Sequence, residues 1–527
     1  MLALLLLNLA LTFQNRWPTA GVRWVLEFSL DLTVLLLALT LIVAWHGPLH
    51  RWGRGLLLGG LIILVLGRYV DVTTPALMGR PIHFYWDSQH IPQVAAMFLD
   101  HVAIWQLAVG GLALLLAFGV MVAVLRWALD TVLIMLDQPV GRWLIGGIAA
   151  VLLMLYGVGR LSLRWPTEYA FALPVTAMLV EQARLTLEAT VFRNQGRIAV
   201  QAPLPASNLG RLRQGNLLVI FFESYGALVF DDPRFATPLA SDFAALEQSL
   251  TQAGWRMASA RLESSTFGGQ SWLAHSSLLS GLRIADQGDY QELLTTDRPT
   301  LVQSFAAAGY RTVAVMPGLR YPWPEGQFYG FAKIYDAKRL DYHGPAYGWW
   351  TIPDQYSLYR IHQTELDALD RAPRFVFFPT INSHAPFAPL PPYQPDWEHL
   401  DAPANEQTLS GSIELSERLD GAALATAYIR SVRYNLAVVG GYLRQYALPD
   451  TLLIVLGDHQ PPAIVGGREI SWQIPVHLFS RDPALLERFL ATGFQPGMQP
   501  ATVLGGIERL GPLLLRVLDD AQVVGSN

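Results

Sequence analysis

The sequence has no cysteine among its 527 residues. This absence excludes a disulfide framework, a cysteine-ligated zinc site and a cysteine nucleophile. It is compatible with an exported protein, because burial alone can stabilise a large domain outside the cytoplasm. Any metal site or nucleophile must therefore be built from oxygen and nitrogen side chains.

Charge is also scarce, since Asp, Glu, Lys and Arg make up 15% of the chain while 52% is hydrophobic. The 37 basic and 42 acidic residues give a net charge of −5, and no basic block occurs. The chain thus lacks the surface that neutralises nucleic-acid phosphates, and we expect no nucleic-acid partner. This length and apolar content predict two or three modules with one in a bilayer, which excludes a purely cytosolic enzyme.

Long apolar segments predict a transmembrane domain of about five helices in residues 1–165. A helix rises about 1.5 Å per residue and the bilayer core is about 30 Å thick, so a span needs about 20 apolar residues. The segments are 1–13, 24–45, 56–70, 102–125 and 143–158. The first is short and lacks a basic start and an Ala-x-Ala site, which favours an uncleaved anchor over a signal peptide.

The basic residues of the short loops predict the orientation of these spans. The positive residues on the side that we assign to the cytoplasm are Arg51, Arg54, Arg126 and Arg142. The acidic loop between them is then external, although Arg160 and Arg164 after the last span oppose this scheme. We expect a multi-pass membrane protein in which everything after about residue 165 lies outside the cytoplasm.

Two pairs of ionisable residues lie near the ends of the predicted spans. Glu27 and Asp31 are four residues apart on one helical face, and Arg68 and Asp71 are three apart. Ionisable groups at membrane depth are candidates for function. The alternative is that the first pair sits at the interface and the second pair neutralises itself.

The remainder of the chain predicts a juxtamembrane helix and linker at 166–204 and a catalytic domain at 205–527. Short apolar runs alternate with helical patterns in that domain, which indicates a mainly parallel sheet covered on both faces. The runs are 217–222, 312–316, 375–378, 452–456 and 476–479, and residues 424–446 have helical spacing.

Polar residues follow several of these runs. Glu223 follows the first run, His384 the third, and Asp458 and His459 the fourth. The ligand site of an open parallel sheet lies beyond the carboxyl ends of its strands, so these side chains can converge. Two carboxylates and an imidazole then predict mixed oxygen and nitrogen ligation of a divalent cation. Each residue taken alone is more typical of a helix cap or a solvated surface.

A glycine-rich turn supplies a candidate nucleophile. Gly268-Gly269-Gln270-Ser271 precedes a helical pattern, and paired glycines permit a tight turn. A hydroxyl at the start of a helix lies among free N–H groups that favour negative charge, as phosphoryl or sulfuryl transfer requires. Ser271 could instead be a simple N-cap. Thr266, five residues earlier, is the alternative nucleophile.

Together these motifs resemble the alkaline phosphatase superfamily, and within it the sulfatase-like membrane transferases typified by lipoteichoic acid synthase. The resemblance covers the whole layout, from about five spans through a linker to an external α/β/α domain. The segments that carry it are 219–224, ending in Glu223-Ser224, the turn at Ser271, where the family has Thr, Asn382-Ser383-His384 and Gly457-Asp458-His459.

The resemblance implies a covalent two-step transfer. Glu223, Asp458, His459 and Ser271 would hold one divalent metal ion, and an oxygen-rich sphere favours Mn²⁺, with Zn²⁺ or Mg²⁺ as alternatives. Ser271 would attack a phosphodiester and His384 would contact the transferred group or protonate the leaving oxygen. The implied partners are a phosphatidylglycerol-like membrane lipid as donor and an envelope glycan or lipid as acceptor of phosphoglycerol or a similar alcohol phosphate.

The substrate pocket departs from the family pattern. Trp323 is similar to a pocket Trp of the family, but Glu325 stands where phosphoglycerol transferases have Arg. Arg320 is a candidate replacement for that Arg. His275, one turn after Ser271, is a candidate to line the site, or it is simply packed in the core.

Other activities are weighed from the same residues. A formylglycine sulfatase needs Cys or Ser followed by Pro and Arg, and the segment from Ser271 to His275 has neither. Phosphoethanolamine transferases have disulfide-stabilised external domains, which the lack of cysteine disfavours. A phosphodiesterase, another sulfatase-type hydrolase and a catalytically silent envelope sensor or scaffold remain alternatives. A transporter is disfavoured, because more than half of the mass lies outside the predicted spans.

Overall fold

The computed structural model describes residues 1–17, 19–78, 80–101, 103–161, 170–191, 202–320, 323–347, 352–367, 372–401, 421–467 and 471–520. The chain divides into two compact units, Met1–Arg193 and Asn194–Asn527. The first unit is helical, and the second is a layered α/β domain. The predicted fold class, apolar helices followed by an α/β/α domain, is confirmed.

The first unit contains every apolar segment that the sequence predicts as a span. Its helices are α1 (Leu2–Thr12), α2 (Leu30–His46), α3 (Arg51–Met78), α4 (Phe84–Ser88), α5 (Ile91–His101), α6 (Ile104–Asp137), α7 (Pro139–Leu161) and α8 (Val175–Thr190). Three of them, α3, α6 and α7, are long and apolar enough to cross a membrane. The apolar helices α1 and α2 are shorter, with 11 and 17 residues. A total of about five crossings stays a prediction.

The predicted loop between Arg126 and Arg142 is almost entirely helical. Helix α6 continues to Asp137, and α7 begins at Pro139. The reason is burial, because apolar residues of this segment such as Leu129 and Leu133 pack in the core of the helical unit. Proline is tolerated at the first position of a helix, so the chain reverses within a few residues.

The ionisable residues of the first unit have structural partners. Asp31 accepts hydrogen bonds from the N–H of Val175, at 2.7 Å, and from the Thr176 hydroxyl, at 2.5 Å, and so caps the start of α8. The buried Arg68 donates to the carbonyl of Phe13, at 2.9 Å, and lies 3.6 Å from Asp71. These contacts favour a structural role for Asp31, Arg68 and Asp71 in the helical unit over a direct functional role.

Two-residue strands complete the first unit: β1 (Gln14–Asn15), β2 (Val22–Arg23), β3 (Phe28–Ser29) and β4 (Phe171–Ala172). The juxtamembrane helix predicted for 166–204 corresponds to α8, which packs on α3. Residues 162–169 and 192–201, which contain much of the predicted linker, lie outside the described residues. The predicted domain bounds therefore stay predictions.

The second unit is built on a sheet that has nine described strands. They are β5 (Leu217–Phe222), β6 (Arg256–Glu263), β7 (Arg311–Met316), β8 (Lys333–Asp336), β9 (Arg374–Pro379), β10 (Leu452–Gly457), β11 (Gln473–Ser480), β12 (Gln495–Pro496) and β13 (Val503–Gly506). The spatial order is β12-β6-β11-β10-β5-β9-β7-β8, with β13 also pairing β6. All five predicted runs are strands.

The strands from β10 to β8 are parallel, whereas β11 runs antiparallel to both β10 and β6. The sheet is thus mixed, with a parallel half that contains the strand ends of interest. The run at 476–479 is one of the antiparallel strands, and β6 was not predicted. Strand β6 mixes Ala, Leu and Met with Arg, Ser and Glu, so it lacks the continuous apolar run on which the prediction relied.

Helices cover both faces of the sheet. They are α9 (Leu228–Asp231), α10 (Pro233–Gln252), α11 (Ser271–Ser280), α12 (Gln287–Leu294), α13 (Leu301–Ala307), α14 (Gly326–Tyr329), α15 (Ala337–Leu340), α16 (Asp354–Ile361), α17 (Gly421–Gln445), α18 (Ala463–Gly466), α19 (Pro483–Leu490) and α20 (Leu510–Leu518). Side chains of β5 alternate between two cores: Ile220 packs with the α10 and α17 side, and Phe221 with the α11 and α20 side.

Candidate active site

The carboxyl ends of three neighbouring parallel strands meet at one edge of the sheet. In the register, Phe222 of β5 pairs with Gly457 of β10, and Phe221 pairs with Pro379 of β9. The residues after these strands are therefore adjacent in space although they are far apart in sequence. This edge gathers Glu223, the Asp458-His459 pair and the loop that leads to His384.

Glu223, Asp458 and His459 form a buried cluster whose ligand atoms all lie within 4.8 Å of one another. The His459 Nε2 atom is 3.4 Å from Glu223 Oε1 and 3.8 Å from Asp458 Oδ1. The other ring nitrogen of His459 lies 2.7 Å from the Gln460 carbonyl. Because a carbonyl accepts only from a protonated nitrogen, this contact leaves Nε2 unprotonated towards the cluster.

These residues fit a divalent cation. Two carboxylates buried beside a neutral imidazole leave uncompensated negative charge, which is costly unless a cation neutralises it. The backbone contact that orients His459 is typical of an imidazole that binds a metal through its other nitrogen. A set of two carboxylates, one imidazole and a nearby hydroxyl suits the harder first-row ions.

Without a cation, the close approach of these buried ionisable groups shifts their pKa values. Burial and the adjacent Glu223 carboxylate raise the pKa of Asp458 well above its usual range. Burial would also raise the pKa of Glu223, but His459, His384 and hydrogen bonds from Asp458 and Ser271 lower it to about 2. Burial lowers the pKa of His459. A cation bound at the cluster would favour the ionised form of both carboxylates.

Ser271 is the first residue of α11, and its hydroxyl reaches the cluster. Its Oγ lies 2.9 Å from Glu223 Oε2 and 3.1 Å from His459 Nε2. The preceding Gly268, Gly269 and Gln270 all have positive φ angles, which lets β6 turn sharply into α11. The hydroxyl therefore lies at the amino end of a helix, where the backbone N–H groups favour a phosphate.

The alternative nucleophile, Thr266, has a different environment. Its side chain is buried, and its hydroxyl donates to the carbonyl of Gly269 at 2.7 Å. Among the described contacts, none joins Thr266 to Glu223, Asp458 or His459. Its hydroxyl stabilises the glycine turn that presents Ser271.

His384 and His275 both lie near the cluster. His384 is an electrostatic neighbour of both Glu223 and His459, and its Nδ1 atom lies 2.7 Å from the Ala385 carbonyl. The His275 ring packs 4.5 Å from Phe221, and burial lowers the pKa of His275 to about 3. Its Nε2 atom is buried without a hydrogen-bond partner among the described residues. A neutral, packed imidazole fits a wall of the site better than a proton carrier.

The other predicted substrate-binding residues, Trp323 and Arg320, and the neighbouring Glu325 are less closely tied to the cluster. The Trp323 ring stacks 5.8 Å from Tyr329, whose hydroxyl lies 2.7 Å from Ser276 of the nucleophile helix α11. Glu325 precedes α14, and its charge acts on Tyr290. Arg320 is exposed.

The turn that carries Glu223 has further partners that sequence reasoning did not identify. The hydroxyl of Tyr428 donates to the Ser224 carbonyl at 2.8 Å, and Ser383 Oγ donates to the Glu223 carbonyl at 2.7 Å. Asn435 in turn donates to Ser383 Oγ at 2.9 Å. The signal that could have revealed them is a buried polar pair, Tyr428 and Asn435, seven residues apart on the apolar face of the predicted helix.

Comparison with known proteins supports a sulfatase-like domain. The Sulfatase family model matches residues 215–475. No curated protein sequence matches the chain. The integral membrane protein lipooligosaccharide phosphoethanolamine transferase A from Neisseria meningitidis has a similar structure, with a TM-score of 0.52 at 13% identity over 93% of this chain and 88% of that chain.

Two further solved structures are similar over the α/β domain. Lipoteichoic acid synthase from Listeria monocytogenes has a TM-score of 0.39 at 12% identity, covering 60% of this chain and 75% of that chain. The phosphoglycerol transferase of Streptococcus pyogenes has a TM-score of 0.38 at 14% identity, covering 60% and 81%. The chain therefore contains a Sulfatase-family domain at residues 215–475, and its fold is similar to that of the phosphoethanolamine transferase along most of its length.

Proposed function

We propose that the protein is a metal-dependent, membrane-anchored phosphotransferase. It moves phosphoglycerol or a similar alcohol phosphate from a lipid donor to an envelope glycan or lipid through a covalent phospho-enzyme. The observation that carries the proposal is the position of the Ser271 hydroxyl, 2.9 Å from Glu223 and 3.1 Å from His459 at the amino end of α11. A hydroxyl beside a candidate metal cluster suits nucleophilic attack on phosphorus.

Glu223, Asp458 and His459 would hold one divalent ion, with Mn²⁺ favoured and Zn²⁺ or Mg²⁺ as alternatives. When bound, the ion would lower the pKa of the Ser271 hydroxyl and neutralise charge on the transferred phosphate. The N–H groups at the start of α11 would bind the phosphate oxygens, because they have no partner inside the helix. Burial of the cluster excludes bulk water and strengthens these interactions.

The reaction would proceed in two displacements at the same phosphorus. Ser271 Oγ would lose its proton and bond to phosphorus while the bond to the lipid alcohol breaks, and His384 would protonate the departing oxygen. The acceptor hydroxyl then attacks the phosphoserine, and Ser271 recovers its proton as it leaves. Water in place of the acceptor would give a phosphodiesterase.

The apolar helices of the first unit are consistent with an enzyme that is anchored in the membrane to reach a lipid donor. A lipid donor is presented at the bilayer surface, and α3, α6 and α7 are long enough to keep the enzyme there. We propose that the protein is a multi-pass protein of the bacterial inner membrane with the catalytic unit on the outer side.

A labelling experiment tests this function. The full-length protein in detergent with Mn²⁺ is incubated with phosphatidylglycerol that carries isotope in its headgroup, and the digested protein is analysed by mass spectrometry. We expect labelled phosphoglycerol on Ser271. The Ser271→Ala variant should lose the label, whereas Thr266→Val should retain it, because Thr266 contacts the turn and not the cluster. Label on Thr266, or none in the wild type with metal bound, would refute the Ser271 mechanism.

Glu325 bears on which alcohol phosphate the enzyme transfers. A carboxylate replaces the Arg of phosphoglycerol transferases, so the contact to glycerol phosphate would be lost. A parallel incubation with phosphatidylethanolamine labelled in its headgroup determines whether an amino alcohol is preferred. Release of free alcohol phosphate without an acceptor, at the rate of donor consumption, would identify a hydrolase.

A further inference from the structure

The turn that presents Glu223 has an unfavourable backbone conformation. Ser224 is buried and has a φ angle of 60°, in the left-handed region that residues with a Cβ rarely adopt. Such a conformation is unfavourable and persists only where the surrounding structure imposes it. The orientation of the Glu223 carboxylate therefore depends on whatever holds this turn.

Two side chains of α17 hold the carbonyls of the turn. Tyr428 donates directly to the Ser224 carbonyl at 2.8 Å. Asn435 acts through Ser383, donating to its Oγ at 2.9 Å while that hydroxyl donates to the Glu223 carbonyl at 2.7 Å. Tyr428 and Asn435 are both buried, and a spacing of seven residues places them on one face of the helix.

The same turn also binds the second carboxylate of the cluster. The N–H of Ser224 donates to Asp458 Oδ1 at 2.8 Å, and the Ser224 hydroxyl lies 3.1 Å from Glu223 Oε1. A shift of the Ser224 backbone would therefore move both carboxylates. Helix α17 is thus connected to two of the three candidate ligands without contacting the cation position itself.

We infer that Tyr428 and Asn435 are positioning residues that set the affinity of the site for its divalent cation. This inference rests on the proposed metal centre and adds a role for α17. Removal of the Tyr428 hydroxyl leaves the Ser224 carbonyl without this donor, and removal of Asn435 takes away the side chain that holds the Ser383 hydroxyl against the Glu223 carbonyl. In either case the turn can relax towards an ordinary backbone conformation. The carboxylates then separate from the arrangement in which one ion contacts both.

The test is a Mn²⁺ titration by calorimetry of full-length, EDTA-treated protein in detergent. We expect Tyr428→Phe and Asn435→Leu each to weaken Mn²⁺ binding about tenfold, as is usual when the partners of metal ligands are removed. Ser383→Ala breaks the Asn435 connection from the loop side and should weaken binding similarly. Saturating Mn²⁺ should restore transfer activity in Tyr428→Phe, because Ser271 and the ligands themselves are intact.

Tyr356→Phe is the matched control. The Tyr356 hydroxyl also donates to backbone carbonyls, at 3.0 Å to the buried Leu340 and 2.9 Å to Asp341, but no described contact joins it to the turn. It should lower the melting temperature of the metal-free protein about as much as Tyr428→Phe, yet leave Mn²⁺ affinity within about twofold of the wild type, because it removes no partner of a metal ligand.

The outcomes separate this inference from the proposed function. Unchanged affinity in both Tyr428→Phe and Ser383→Ala, or equal loss in Tyr356→Phe, overturns the positioning role. If Glu223→Ala binds Mn²⁺ as well as the wild type, the metal centre itself is wrong. If Glu223→Ala abolishes binding while the α17 variants do not change it, the metal centre stands and the role of α17 is refuted.

Discussion

Asp354, the first residue of α16, is fully enclosed and carries a titratable group near the active site. Its two oxygens accept hydrogen bonds from the N–H groups of Ile381 and Asn382, both at 2.9 Å, and so orient the loop that leads to His384. Burial nevertheless raises the pKa of Asp354 to about 7. The folded protein thus binds a proton here that the unfolded chain releases near its ordinary pKa of 3.8.

The sign of the pH dependence follows from this difference. Between about pH 4 and 7 the folded state holds more protons, so stability from this group falls as the pH rises, by at most about 1.4 kcal/mol per pH unit. We expect metal-free wild type to lose stability relative to Asp354→Asn across this window, measured by thermal unfolding with tryptophan fluorescence. Parallel curves for the two proteins would show that Asp354 is ionised throughout.

The choice of a proposed nucleophile also depends on single residues and could not be made from the sequence alone. Ser271 and Thr266 are both hydroxyl residues beside a glycine pair, and sequence spacing does not choose between them. The positive φ angles of Gly268, Gly269 and Gln270 turn the Ser271 hydroxyl towards Glu223, whereas Thr266 bonds the turn. Backbone conformation at three consecutive residues therefore determines which of the two hydroxyls faces the cluster, and on this position we base the proposal of Ser271 as nucleophile.

At the scale of elements, an ion-pair network joins the starts of β7 and β9 to the turn after α16. Glu365 accepts from Arg311, at 2.8 Å, from Arg374, at 3.0 Å, and from Tyr335, at 2.8 Å. Burial would raise the pKa of Glu365, but the hydrogen bonds and charges of these partners lower it. The network stabilises the parallel half of the sheet that carries the site.

Glu365→Gln should destabilise the protein by about 3 kcal/mol, because it leaves the buried Arg374 guanidinium without its counter-charge. The contribution is present above the unfolded pKa of about 4.5 and is lost as pH falls through the lower folded value. Thermal unfolding at pH 7 and at pH 3 measures both effects. Glu487→Gln, an exposed change on α19, is the control, and equal stability of the two variants would contradict the role of the network.

At the scale of the whole molecule, the lack of cysteine makes the orientation directly measurable. Single cysteines placed at exposed positions, Gln138→Cys between α6 and α7 and Gln252→Cys at the end of α10, introduce one thiol each. A membrane-impermeant maleimide applied to spheroplasts should label the second and spare the first until the membrane is permeabilised. The reverse pattern would place the catalytic unit in the cytoplasm.

Sequence determined the features that depend on local pattern and on the general geometry of parallel sheets. Apolar length identified α1, α2, α3, α6 and α7 of the first unit, and continuous apolar runs identified five strands. Because parallel strands end at a common edge, the residues after β5 and β10 could be expected to meet, and Glu223, Asp458 and His459 do lie within 4.8 Å of one another.

Tertiary structure decided what depends on contacts between distant segments. Strand β6 is formed by its pairing with β11, β12 and β13, not by its own mixed composition. In the sequence, Tyr428 and Asn435 are ordinary polar residues of a long helix. Their contacts with Ser224 and Ser383 arise only when the helix packs in the folded domain. Burial then makes each such hydrogen bond matter, because an unpaired polar group in the core has no water to replace its partner.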